Sequence, residues 1–184
     1  MKVLSLLTVV LVSNAAMAIE ITPSENQPVC LQRVYTTEHM AKNPKQKLDE
    51  LTIKLQEVTY TDQVNQSYKY NTAQVVGRGS HDGALYGNTA GCTFDREGNA
   101  SCAIECDGGS FAIKKRTTWA NFKVTPNYYF PLFEGVLEAD IESPPASIQL
   151  LGDDKDNNLF RLEKVSVDKC DAVISQVVKM DGGC

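Results

Sequence analysis

Ser80-His81-Asp82 brings together the three residue types of a hydrolytic relay. A hydroxyl nucleophile, an imidazole base and an orienting carboxylate must hydrogen-bond in series. Consecutive side chains of an extended chain point to opposite faces, so neighbours in sequence cannot make that series. Gly79 and Gly83 flank the trio, and the expectation is a turn. No Gly-x-Ser-x-Gly elbow occurs in the chain.

Asp154-x-Asp156-x-Asn158 has the opening spacing of a calcium loop. Its sixth place is Leu159 where Gly is required, and its twelfth is Val165 where Glu is required. A hairpin turn rich in Asp and Asn explains the same residues. Asp153, Asp154 and Asp156 still concentrate carboxylate, so calcium stays open as an alternative. His39 and His81 are the two histidines, and neither lies near the cysteines at 92, 102 and 106 in sequence. No metal ligand set, cofactor or catalytic residue is expected. Glu105, beside Cys106, is read as a solvated carboxylate.

Six cysteines stand at 30, 92, 102, 106, 170 and 184. The Cys102-x3-Cys106 spacing is not a zinc knuckle. A redox pair wants Cys-x-x-Cys at a helix start, where the dipole lowers the thiol pKa, and the local pattern here is strand and turn. Disulfides remain. Cys92 and Cys102 flank a turn at Glu97-Gly98 and would face each other across a hairpin. Cys30 and Cys170 would tie the two ends of the domain, and Cys106 would pair with the terminal Cys184. Six cysteines allow 15 pairings, so this connectivity is a preference.

Aromatic residues offer a different chemistry. Trp119, Phe122, Tyr128, Tyr129, Phe130 and Phe133 fall close together in sequence. They suit plain core, an exposed docking patch, or a barrel mouth holding an apolar ligand. In the last case Trp119, Tyr128, Tyr129 and Phe130 would line the mouth.

The elements that position these residues are mostly strands. Leu51, Ile53 and Leu55 alternate with polar residues, as do Leu137, Ala139 and Ile141, and Phe160 and Leu162. Each pattern is a strand with one dry and one wet face, the mark of an antiparallel sheet. Weaker strands are expected at 68–78, 84–93, 100–105, 110–115, 119–125 and 148–151, with turn residues between them. Thr36 caps a short helix that Asn43-Pro44 ends. Residues 19–28 look like a loose lead-in, with Cys30 ahead of the first strand. A short helix is expected in the stretch 167–180. The fold class is therefore mainly β. It is a single antiparallel β-barrel or sandwich with one short N-terminal helix and a possible short C-terminal helix, stapled by disulfides.

The chain starts with one lysine, an apolar run from Val3 to Val12, and Ala16-Met17-Ala18. That is a signal peptide over residues 1–18, too short in its apolar part for a membrane span of about 20 residues. The remaining residues, 19–184, suit a single β domain in the periplasm or secreted. The full chain carries a net charge of −5, and removing Lys2 makes it one unit more negative. An acidic surface is a poor partner for nucleic acid or anionic lipid. No membrane insertion is expected once the leader is cleaved. Asn65-Gln66-Ser67 and Asn99-Ala100-Ser101 fit glycosylation sequons, which a bacterial-type leader makes incidental.

CxxECDGGSF at 102–111, CLQRVYTTEHMAKNP at 30–44 and NNLFRLEKV at 157–165 resemble a group of small exported proteobacterial proteins of unknown function. That resemblance implies no activity. The nearest named architecture is a lipocalin-like barrel, although the Gly-x-Trp signature is absent. The expectation is a non-enzymatic binding protein holding a small apolar or amphipathic ligand in a barrel mouth. The alternative is a protein-interaction module of the envelope or an inhibitor of a secreted enzyme.

Overall fold

Period-two alternation decides which side chains enter the barrel. In the computed structural model, residues 18–62, 64–104, 108–137 and 145–177 are described. Twelve elements occur among them, ten strands and two helices. The first six are β1 (Val29–Val34), α1 (Thr37–Lys42), β2 (Leu48–Thr61), β3 (Ser67–Gly79), β4 (Leu85–Phe94) and β5 (Ala100–Ala103). The rest are β6 (Ser110–Lys115), β7 (Ala120–Val124), β8 (Tyr129–Glu134), β9 (Ser147–Leu151), β10 (Leu159–Val165) and α2 (Val167–Ile174). Strands run antiparallel in the order β3-β2-β1-β10-β7-β6-β5-β4, and β4 pairs β3 again. The ring closes as an eight-stranded barrel. The β8–β9 hairpin adds to β4 outside the ring, with Tyr86 beside Glu134 and Gly87 beside Phe133.

The interior is packed solid. Leu31, Leu51, Ile53, Leu55, Val75, Ile113 and Leu162 point inward and are fully buried. Four phenylalanines fill the centre and one end. Phe122 lies 4.6 Å from Phe111 and 5.8 Å from Phe160, and Phe130 of β8 reaches in to meet Phe111 at 4.7 Å. Burying each such side chain contributes about 1.5–3 kcal/mol. Buried Asn88 donates from Nδ2 to the Pro131 carbonyl, which fixes β8 over that end.

The other end is sealed by the segment before β1. Ile21 is fully buried in the core cluster, Ile19 N donates to Arg116 O, and Lys164 Nζ reaches the Glu20 carbonyl. The first part of the segment is thus a plug, not a loose lead-in: Ile21 and Pro23 are buried and Ile19 packs against the core, while residues 24–27 stay exposed. Cys30 likewise lies within β1, where Val29 and Leu31 face in and Cys30 faces out. An apolar cysteine on the outer face had masked the alternation.

Cys30 joins Cys170 of α2, and Cys92 joins Cys102 at the directly paired position of β4 and β5. The first bond straps α2 onto the outside of the barrel. There Val173, Ile174 and Val177 cluster with Val76 and Leu137, and Lys54 pairs with Asp171 at 2.6 Å. Thr36 caps α1, its hydroxyl accepting from His39 N. The leader, Glu105, Cys106, Cys184 and most of the expected strand at 137–141 lie outside the described residues.

Candidate functional site

Strand lengths are mismatched at one place, and that mismatch builds a surface. Pairing of β1 with β2 stops at Val29–Leu55. The next residue back is Pro28, which has no N–H to give a ladder. Pairing of β3 with β4 stops at Asn71–Cys92, yet β2 and β3 stay paired out to Thr61–Ser67. A two-stranded arm therefore extends beyond the barrel. Its turn is set by Asp62, whose Oδ1 accepts from Val64 N and Gln66 N, and by Asn65 at a φ of 61°.

Alternation carries through the arm and sorts its two faces. The face continuous with the barrel interior holds Glu57 and Lys69, which form an ion pair, and Lys69 also binds Glu25 at 2.7 Å. The face continuous with the outer wall carries no charge beyond Lys54. It pairs Gln56 with Thr72, Val58 with Tyr70, and Tyr60 with Tyr68. Gln74, Thr89 and Gly91 continue it across β3 and β4. Tyr60, Tyr68 and Tyr70 are about half exposed, at 55%, 50% and 46%. A depression of about 290 Å³ opens on this wall between Tyr60, Tyr70 and Val58 on one side and Gln74 and Thr89 on the other.

Its polar groups lack partners. The hydroxyls of Thr72 and Thr89 are buried and unbonded. The amides of Gln56 and Gln74 and the phenols of Tyr60 and Tyr70 bond to nothing among the described residues. A second depression, about 210 Å³, lies over β1 and β10 beside Lys169 and is crossed by the Arg33–Glu163 ion pair.

The residues singled out from sequence are scattered. Trp119 precedes β7 and lies under Arg161, whose guanidinium carbon is 4.0 Å from the ring centre. Tyr128 and Tyr129 follow β7 at the opposite end of the barrel and are exposed by 58% and 38%. Phe130 is wholly buried in the core. The strand between them holds Trp119 apart from the other three, and the four line no common mouth. Ser80 Oγ donates to Gln46 O, while Asp82 accepts from Tyr86 and Ala84, so the trio forms no relay. His39 stacks on Tyr35 at 4.4 Å and donates from Nε2 to Gln46. Asp154 accepts from Asp156 N and Asn157 Nδ2, closing the turn on itself. Among the described residues, no three His, Cys, Asp or Glu side chains gather as a metal set.

The Tyr86–Asp82 bond gives a pH test. Asp82 accepting from its hydroxyl, with burial, pushes the Tyr86 phenol up to about 12. The same bond holds Asp82 below the usual carboxylate range. The phenol's contribution to stability is complete below about pH 10 and is lost as pH rises through about 12. Difference titration of the protein against Tyr86→Phe is expected to show the missing phenol only as pH nears about 12. A difference already complete near pH 10 would rule the bond out.

No protein-family profile, curated protein or solved structure matches this chain.

Proposed function

We propose that this protein is an exported, non-enzymatic binding module that meets its partner on the outer wall of the barrel, at the β2–β3 arm. Two disulfides belong to an oxidising, non-cytoplasmic setting. With the leader expected over residues 1–18, they support a periplasmic or secreted location.

One contrast carries the reading. The barrel interior is filled by Phe111, Phe122, Phe130 and Phe160, while a cluster of unpaired polar groups and exposed tyrosines sits outside. Small barrels hold ligands only where side chains leave room, and among the described residues four buried phenylalanines occupy the interior. An exposed aromatic cluster among uncharged polar groups has the composition of a recognition surface: Tyr supplies rigid contact area at low entropic cost.

A photo-crosslinking residue placed at Tyr60, in the cell that produces the protein, is expected to give a discrete adduct. The same residue at exposed Lys155, in the turn at the far end of the barrel, is expected to give none. Equal labelling from both positions would overturn the reading.

A further inference from the structure

We propose that the depression on the β2–β3–β4 wall is a subsite for a neutral saccharide. The inference rests on the outer-wall reading above and names what that wall binds.

Ligand chemistry follows from what lines the depression. None of its eight lining residues is charged, in a chain where charged residues make up 22% of the total. A phosphate, a sugar acid or a basic peptide would find no counter-charge there. A lipid chain would bury amides and hydroxyls without partners, at about 1–3 kcal/mol for each group. A peptide strand would add to the open backbone edge of residues 56–61, at the side of the arm, and would leave the depression on the sheet face unfilled.

A neutral sugar matches each group present. Its hydroxyls both donate and accept, and so do the side-chain amides of Gln56 and Gln74 and the phenols of Tyr60 and Tyr70. Its less polar ring face suits Tyr60 and Tyr70, which stand diagonally across the β2–β3 pair on either side of Val58. The side-chain amides of Gln56 and Gln74 are bound by nothing among the described residues, so they are free to meet an occupant. At about 290 Å³ the space is at the small end for a ligand site and suits one or two sugar rings.

The test is titration of the full mature protein with neutral tetrasaccharides of glucose, mannose, galactose and N-acetylglucosamine, followed by amide chemical shifts. At least one is expected to shift residues of β2, β3 and β4 and no others. Tyr70→Ala, Gln56→Ala and Gln74→Ala are each expected to weaken it about tenfold. Gln74→Ala should do so without lowering the melting temperature, because its side-chain amide serves no bond among the described residues. A tetragalacturonate is expected not to bind. Absence of binding across the neutral set, unchanged binding in Tyr70→Ala, or equal binding of the acidic sugar would overturn the proposal. A protein adduct from the Tyr60 position without any sugar binding would overturn the saccharide and leave the outer-wall reading standing. Loss of both would overturn the two together.

Discussion

Replacing Cys30 and Cys170 together by alanine is expected to lower the melting temperature by about 10 °C or more. The two residues are 140 apart in sequence. Cross-linking a loop of that length removes unfolded-state entropy equivalent to about 5 kcal/mol in the chain-entropy model. Alanine is the better replacement, because both positions are fully buried and a serine hydroxyl there would have to be desolvated. Cys92 and Cys102 are separated by 10 residues, and the same model assigns their bond about 3 kcal/mol. The order of the two losses is the sharper check. Calorimetry on both double variants, with hydrogen exchange on α2, decides it. A larger loss from Cys92/Cys102, or α2 amides as protected as before, would show that the strap is not what fixes the helix.

Phe122→Ala is expected to cost about 3–5 kcal/mol, read by chemical denaturation. Phe122 has no exposed surface and touches the rings of Phe111, Phe130 and Phe160. Removing it opens a void among aromatic and aliphatic walls that cannot collapse without moving three strands. Whole domains have only about 5–15 kcal/mol to lose, so the variant should be marginal at body temperature. Engineered voids of this kind are dry and take up small apolar molecules. Benzene is therefore expected to stabilise the variant and leave the natural protein unchanged. A loss under about 1 kcal/mol would mean that the interior already contains slack. A mouth-type ligand site would then return to consideration.

Much of the fold was legible because it is local. Alternation at Leu51, Ile53 and Leu55, and again at Phe160 and Leu162, marks strands whose inward residues are buried as expected. Thr36 caps its helix, and the residues around Glu97-Gly98 make the turn that sets Cys92 against Cys102. β8 escaped notice because Phe130, Pro131 and Leu132 are buried in succession. A strand covered on both faces has no period to read. Ile21 escaped because nothing in a largely polar decapeptide shows that one of its isoleucines completes a core made elsewhere.

The candidate site was half legible. Val58-x-Tyr60 and Tyr68-x-Tyr70 display the right spacing for one face of a hairpin. What sequence could not show is that no described residue covers the face. That depends on β1 ending at Val29 and β4 ending its pairing at Cys92, two long-range events settled by register. The denser aromatic run at 119–133 drew attention instead, and its members were divided between the core and opposite ends of the barrel.

The seal under the barrel and the bare flank of the arm are two results of one decision made at Pro28. The segment before β1 turns away from the arm, so Ile21 reaches the core and Gln56 to Thr61 have no backbone neighbour on that side among the described residues. Were the chain to continue straight past residue 28, it would flank the arm as a third strand and leave the base of the barrel open to water. A tight interior and a projecting, two-stranded reach are thus obtained from the same short leader sequence, and any variant that improves one of them by straightening the chain gives up the other.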